Sequence, residues 1–261
     1  MIRRPPRSTQ GVSSAASDVY KRQAFGKRWG ELRIESGTTP LTLACYQGDV
    51  AAISDLLQQG AGVDQEDSDG YTPLFVASLK GHVDAARLLL DAGAAVDKRR
   101  EGDWSPFGIA CALGHVDVAT LLVERGADSA AVNTCIGGTP PLLFACRNRN
   151  LGAMRLCLER GANPNWANED GSTILYDSCK NGSVDAARLL LERGADVHKA
   201  TNSNRTPLHA ASYNGHIDVV RLLLANGANA DLEDKHGDTP VADAKSKGHS
   251  SIVALLAEHQ K

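Results

Sequence analysis

Aromatic residues make up only 5% of this 261-residue chain, so a thick core assembled from large rings is excluded. No apolar run approaches the roughly 18 residues needed to span a bilayer, and no membrane insertion is expected. The six cysteines include no C-x-x-C pair, which argues against a zinc site or a disulfide framework. A reducing compartment, cytoplasmic or nuclear, is the expected setting. No glycine-rich loop leads into Lys-Ser or Lys-Thr, so phosphate cradling is not expected. His198, His236 and His259 have no Ser, Cys or Asp at a spacing that suggests a triad. The expectation is a protein that is not an enzyme and needs no cofactor or metal.

Charge excludes a further class. Eight of the 28 Lys and Arg and two of the 31 Asp and Glu fall within residues 1–33, leaving 20 and 29 for residues 34–261. That body is acidic and would repel a polyanion on average, so no nucleic-acid partner is expected.

What is present is a repeat. The unit reads most clearly as TPLHAASYNGHIDVVRLLLANGA, residues 206–228. The slot of Pro207 is also held by Pro40, Pro73, Pro106, Pro141, Ile174 and Pro240, at intervals of 33, 33, 35, 33, 33 and 33 residues. A period of that length marks a solenoid. Thr206 can cap a helix whose first residue is Pro207, since its hydroxyl accepts an orphan N–H and proline leaves none. Gly215 and His216 end that helix. Asp218 suits the start of a second, in which Val219, Val220, Leu222, Leu223 and Leu224 form the apolar stripe. Gly227 closes it, as Gly60, Gly93, Gly126, Gly161 and Gly194 do in the other units. Two helices of this length cannot bury their apolar faces alone, so the units must stack.

The register also explains most cysteines. Cys45, Cys111, Cys146 and Cys179 share one slot, five residues after the proline position, where small residues pack closely; they should be reduced and lie on separate repeats. Cys157 replaces a core leucine, and Cys135 sits in a loop.

Residues 205–228 closely resemble the ankyrin repeat pattern G-x-T-P-L-H-x-A…G-H-x-x-V-V-x-L-L-L-x-x-G-A, and the resemblance extends from Gly37 to the C-terminus. It implies an all-α fold, an ankyrin-type α-solenoid of stacked helix-turn-helix units with β-hairpin loops, with repeats starting near residues 37, 70, 103, 138, 171, 204 and 237. It also implies that His82, His115, His216 and His249, which share a slot, bridge neighbouring turns by hydrogen bonds. Asn165 falls at the hairpin slot where some ankyrin proteins are hydroxylated.

Outside the repeats, residues 1–23 resemble translated sequencing-adaptor or vector sequence. A disordered leader and a targeting peptide are the alternatives, and Pro5 and Pro6 argue against the latter's helix. If the segment is not native, the true N-terminus is missing. Residues 24–36 read as an N-terminal cap. The pattern fails in the middle: the hairpin after Gly126 gains two residues, Pro140 replaces the capping Thr, Arg149-Asn150 replaces Gly-His, Ile174 replaces Pro, and Ser178 replaces a core Ala.

The family resemblance implies binding of an unidentified protein partner by a monomer acting as scaffold or adaptor. Contacts are expected across hairpin tips and inner helices, at Tyr71, Trp104, Leu113, Arg147, Asn148, Arg149, Lys180, Arg205 and Tyr213, with Tyr46 and Lys80 in equivalent slots. Any of these residues could instead be simple surface decoration. Trp104, Arg147 and the irregular middle place the expected centre on repeats three to five. The alternative is a targeting or substrate-recruiting module of a larger ligase, kinase or channel.

Overall fold

The structure, a computed structural model, describes residues 37–99, 104–133 and 139–259. The leader at 1–23, the cap at 24–36 and Cys135 lie outside the described residues. The described helices all lie within Thr39–Lys261.

Fourteen α-helices form seven pairs among the described residues. The inner helices are α1 (Pro40–Gln47), α3 (Pro73–Lys80), α5 (Pro106–Leu113), α7 (Pro141–Arg147), α9 (Ile174–Lys180), α11 (Pro207–Asn214) and α13 (Pro240–Lys247). Their outer partners are α2 (Val50–Gln58), α4 (Val83–Asp91), α6 (Val116–Glu124), α8 (Leu151–Glu159), α10 (Val184–Glu192), α12 (Ile217–Ala225) and α14 (Ser250–His259). Each inner helix packs on its own outer partner and on the next inner helix, so the core is a thin layer repeated along the stack. Leu74, Leu89, Ile109, Leu122, Leu190 and Leu223 are fully buried in it.

The start signals act as the sequence implies. The hydroxyls of Thr72, Ser105, Thr173 and Thr206 accept from the N–H three residues on. Pro140 offers no such acceptor, and α7 begins without a side-chain cap. Between repeats, His82 Nε2 donates to Tyr46 O at 3.2 Å, His115 to Leu79 O at 3.1 Å, His216 to Lys180 O at 3.1 Å and His249 to Tyr213 O at 3.2 Å. Each ring lies against the glycine ending the previous inner helix. A Cβ on Gly81 would stand 2.4 Å from His115 Nδ1, so that slot needs glycine for space as well as for its φ of 76°.

The loops are hairpin-like turns. Ala167 and Thr173 form an antiparallel bridge. The carboxylate of Asp67 accepts from the N–H groups of Asp69 and Tyr71, and Asn168 and Asp234 do the same at their own tips. At the base of the loops, Asp64 accepts from Ala95 N, Asp97 from Asp128 N and Asn165 from Asp196 N. In the lengthened loop a 3₁₀ turn, Ser129–Asn133, leads to the next step of this ladder. Asn133 Oδ1 accepts from Asn163 N at 3.0 Å while its Nδ2 donates to Gly161 O at 3.0 Å.

Candidate partner-binding face

Two residues before each proline slot, the side chain was expected on a hairpin tip. Three side chains at this slot turn inward instead. Trp104 is 0% exposed and meets Phe144 edge to face, with ring centroids 5.1 Å apart. The space for it comes from Gly108 in α5: a Cβ there would lie 3.1 Å from Trp104 Cβ. Every other repeat carries a side chain at the Gly108 slot, from Thr42 and Ala242 to Phe75, Leu143, Tyr176 and His209, so tryptophan before the helix and glycine within it form one packing unit. Tyr71 is likewise buried, stacked on Phe75 with centroids 5.0 Å apart. Neither ring is open to a partner, and the expectation of surface anchors at Tyr71 and Trp104 is corrected on that ground.

Arg205 is held between repeats. Its Nη1 donates to Asp234 Oδ2 at 3.0 Å and its Nη2 to Asp243 Oδ2 at 2.6 Å, while the guanidinium lies 5.3 Å from the Tyr213 ring centre. Burial pushes the Asp243 carboxyl up to about 6 against the attraction of Arg205. Arg147 is also committed: Nη2 donates to Asp177 Oδ2 at 3.0 Å, and the two side chains are only 12% and 17% exposed. Asp177 and Asp243 occupy the same slot, three residues into α9 and α13. Neither was singled out by sequence, although an acid in that slot of a following repeat was the available signal.

The remaining positions face outward. Asn148 and Arg149 are exposed, Leu113 and Lys180 half-buried, and Tyr213, at 39%, is among the exposed large hydrophobic side chains. They sit at the C-terminal ends of inner helices, where the last residue of one helix leans over the last turn of its predecessor. Lys80 Nζ stands 4.0 Å over the Tyr46 ring, Lys247 Nζ 4.3 Å over Tyr213, and Asn148 Nδ2 donates to Ala112 O at 3.2 Å. Asn165 is occupied as a brace: Oδ1 accepts from Asp196 N at 2.7 Å and Nδ2 donates to Gly194 O at 3.0 Å.

Cys45, Cys111, Cys146, Cys157 and Cys179 are buried and unpaired by disulfide among the described residues. Burial pushes the Cys45 thiol up to about 12 and raises Cys146 and Cys179 as well, leaving little thiolate for metal or oxidant. No cluster of three or more His, Cys, Asp or Glu suited to a metal occurs among the described residues, and no described helix is long and apolar enough to cross a membrane.

Comparison with known proteins gives this arrangement a family. The family model of ankyrin repeats (3 copies) matches residues 15–100, 41–133, 107–201 and 197–261. The solved ankyrin repeat domain of Bcl-3, described as a unique member of the IκB protein family, is similar at 29% identity and a TM-score of 0.70. That match covers 85% of this chain and 100% of the other. The human ASB11 ankyrin repeat domain is similar at 29% identity and a TM-score of 0.71, over 85% of this chain and 97% of that one. Among curated proteins no match is found. With its repeats matched over more than half its length and its helix pairs stacked through the histidine rungs, the chain belongs to the ankyrin repeat family.

Proposed function

We propose that the repeat array is a protein–protein interaction module, serving as scaffold or adaptor, that meets its partner along the C-terminal ends of the inner helices. One observation carries this reading. A frame fixed by near-identical caps and histidine rungs presents side chains that differ from repeat to repeat: Leu113, Asn148, Arg149, Lys180 and Tyr213. Trp104 and Tyr71 are buried away from that surface, and Arg147 and Arg205 are half-buried and held by carboxylates. A second reading is that the array recruits substrates for a larger enzyme; both similar structures are domains within named proteins, which suits such a role.

Photo-crosslinking tests the face. A crosslinking amino acid placed singly at Asn148, Lys180 or Tyr213 of the full chain should capture a protein from cell extract, and the same group at Arg188 or Arg221 on the outer helices should not. Capture from the outer helices alone would overturn the assignment. Trp104→Ala serves as the control for stability: emptying a fully buried indole should cost about 3–5 kcal/mol in urea unfolding.

A further inference from the structure

The C-terminal ends of the inner helices carry an unbalanced charge. The three residues spanning each end, from Tyr46-Gln47-Gly48 to Ser246-Lys247-Gly248, include Lys80, Arg147, Arg149, Lys180 and Lys247 and not one acid. This occurs in a body where acids outnumber bases, 29 to 20 over residues 34–261. The opposite ends of the same helices have the reverse balance: the described tips hold Asp67, Asp69, Glu169, Asp170, Asp234 and Asp238 against Arg205 and Lys235. Helix dipoles favour this polarity, but they do not require cations to stay unpaired. No ion pair engages Arg149, Lys180 or Lys247 among the described residues, although Arg147 and Arg205 find carboxylates. Lys80 and Lys247 rest on tyrosine rings, which fixes their ammonium groups without neutralising them. The acids near this edge are otherwise engaged: Asp49 caps an outer helix, Asp84, Asp117, Asp185 and Asp218 lie in first turns of outer helices, where the backbone N–H groups offset their charge, and Asp177 and Asp243 are held by Arg147 and Arg205.

Resting on the reading of this face as a protein-binding surface, we propose that its occupant is an extended acidic peptide segment, running along this edge with carboxylates at intervals matched to the repeats. Packed helices stand about 8–10 Å apart. An extended chain rises about 3.3 Å per residue, so about three peptide residues pass each repeat. An acid at every third position can therefore fall opposite the cations of repeats two, four, five and seven, while the acidic tips keep such a segment away from the other edge.

The test uses the full chain and labelled synthetic peptides of about 15 residues, followed by fluorescence anisotropy. One peptide carries Glu at every third position among Ser and Gly, one has the same composition with its Glu in a single block, and one has Lys in place of Glu. The patterned acidic peptide should bind most tightly and weaken as salt rises. Lys180→Glu and Arg149→Gly should each weaken it about five-fold. Since Arg149→Gly relieves a left-handed backbone at a non-glycine residue, urea unfolding should show that variant at least as stable as the parent, which separates lost binding from lost folding. Equal affinity for the block peptide, or tighter binding of an oligonucleotide or of phosphatidylserine vesicles, overturns the proposal. Preference for the Lys peptide overturns it too, yet leaves a protein-binding face standing. Failure of every peptide, together with no crosslinked protein from Asn148, Lys180 or Tyr213, removes the underlying reading as well.

Discussion

Arg149 has φ 57° in the slot where Gly48, Gly81, Gly114, Gly182, Gly215 and Gly248 end their helices. A left-handed conformation at a residue with a Cβ costs about 1 kcal/mol relative to glycine. The effect reaches the next repeat. There the rung slot holds Ser183, which makes no side-chain cap, instead of a histidine. Where the rung is a histidine its ring packs where a glycine Cβ would be, at 2.6 Å for His216 Nδ1 over Gly182, so the Cβ of Arg149 and an imidazole at position 183 compete for one space. Arg149→Gly should therefore stabilise the array by about 1 kcal/mol, and Ser183→His alone should destabilise it. The double variant should exceed the sum of the two by about 1 kcal/mol, as a new rung donates to the Arg147 carbonyl. Urea unfolding of the four proteins measures the coupling, and strict additivity would refute it.

At the scale of single elements, α11 shows how a capping histidine links stability to pH. His209 is buried, Thr206 N donates to its Nδ1 at 3.1 Å, and its Nε2 donates to Asp238 O at 3.0 Å. This arrangement needs the neutral ring, and burial holds its pKa below the usual value, as it does for His115. A histidine with a depressed folded-state pKa contributes stability that is complete above about 6.5 and is lost as pH falls through that value, because the unfolded chain takes the proton first. Asp243 acts in the opposite sense. Its carboxyl, raised to about 6, is protonated more readily in the folded state, so its contribution improves as pH falls below about 6. From about pH 7.5 to about pH 5, the urea midpoint of His209→Gln should fall less than that of the parent and the midpoint of Asp243→Asn should fall more. Three parallel pH profiles would count against both assignments. The helices themselves were legible in the sequence because Thr-Pro starts and glycine stops act within a few residues. The inward turn of Trp104 was not, since it depends on the absent side chain of Gly108 and on Phe144 in the following repeat. The arginine clasps were hidden for the same reason: Arg147 finds Asp177, and Arg205 finds Asp243, only once successive units are stacked.

Across the whole array, the units are not joined equally. The inner helices α7 and α9 touch far less than any other neighbouring pair of inner helices. Several departures meet at this seam: uncapped Pro140, left-handed Arg149 and the missing rung at Ser183 all weaken it. Two polar side-chain pairs are among the contacts that cross it. Cys146 Sγ lies 3.2 Å from Ser178 Oγ, and Arg147 pairs with Asp177. Ile174 adds no weakness of its own, since its side chain is fully buried and Thr173 still caps α9. Ile174→Pro would therefore trade about 0.5–1 kcal/mol of chain-entropy gain for a similar loss of buried apolar volume. In a repeat array, local unfolding follows the weakest neighbour interface, because stability is a sum of unit and interface contributions. Amide hydrogen exchange should accordingly show α7 and α9 opening at lower free energy than α3 or α11. Arg149→Gly with Ser183→His should raise protection there before it raises it elsewhere. Protection that is uniform from α3 to α13, or that rises evenly in the double variant, would mean that the array unfolds as one cooperative unit despite the sparse contact between α7 and α9.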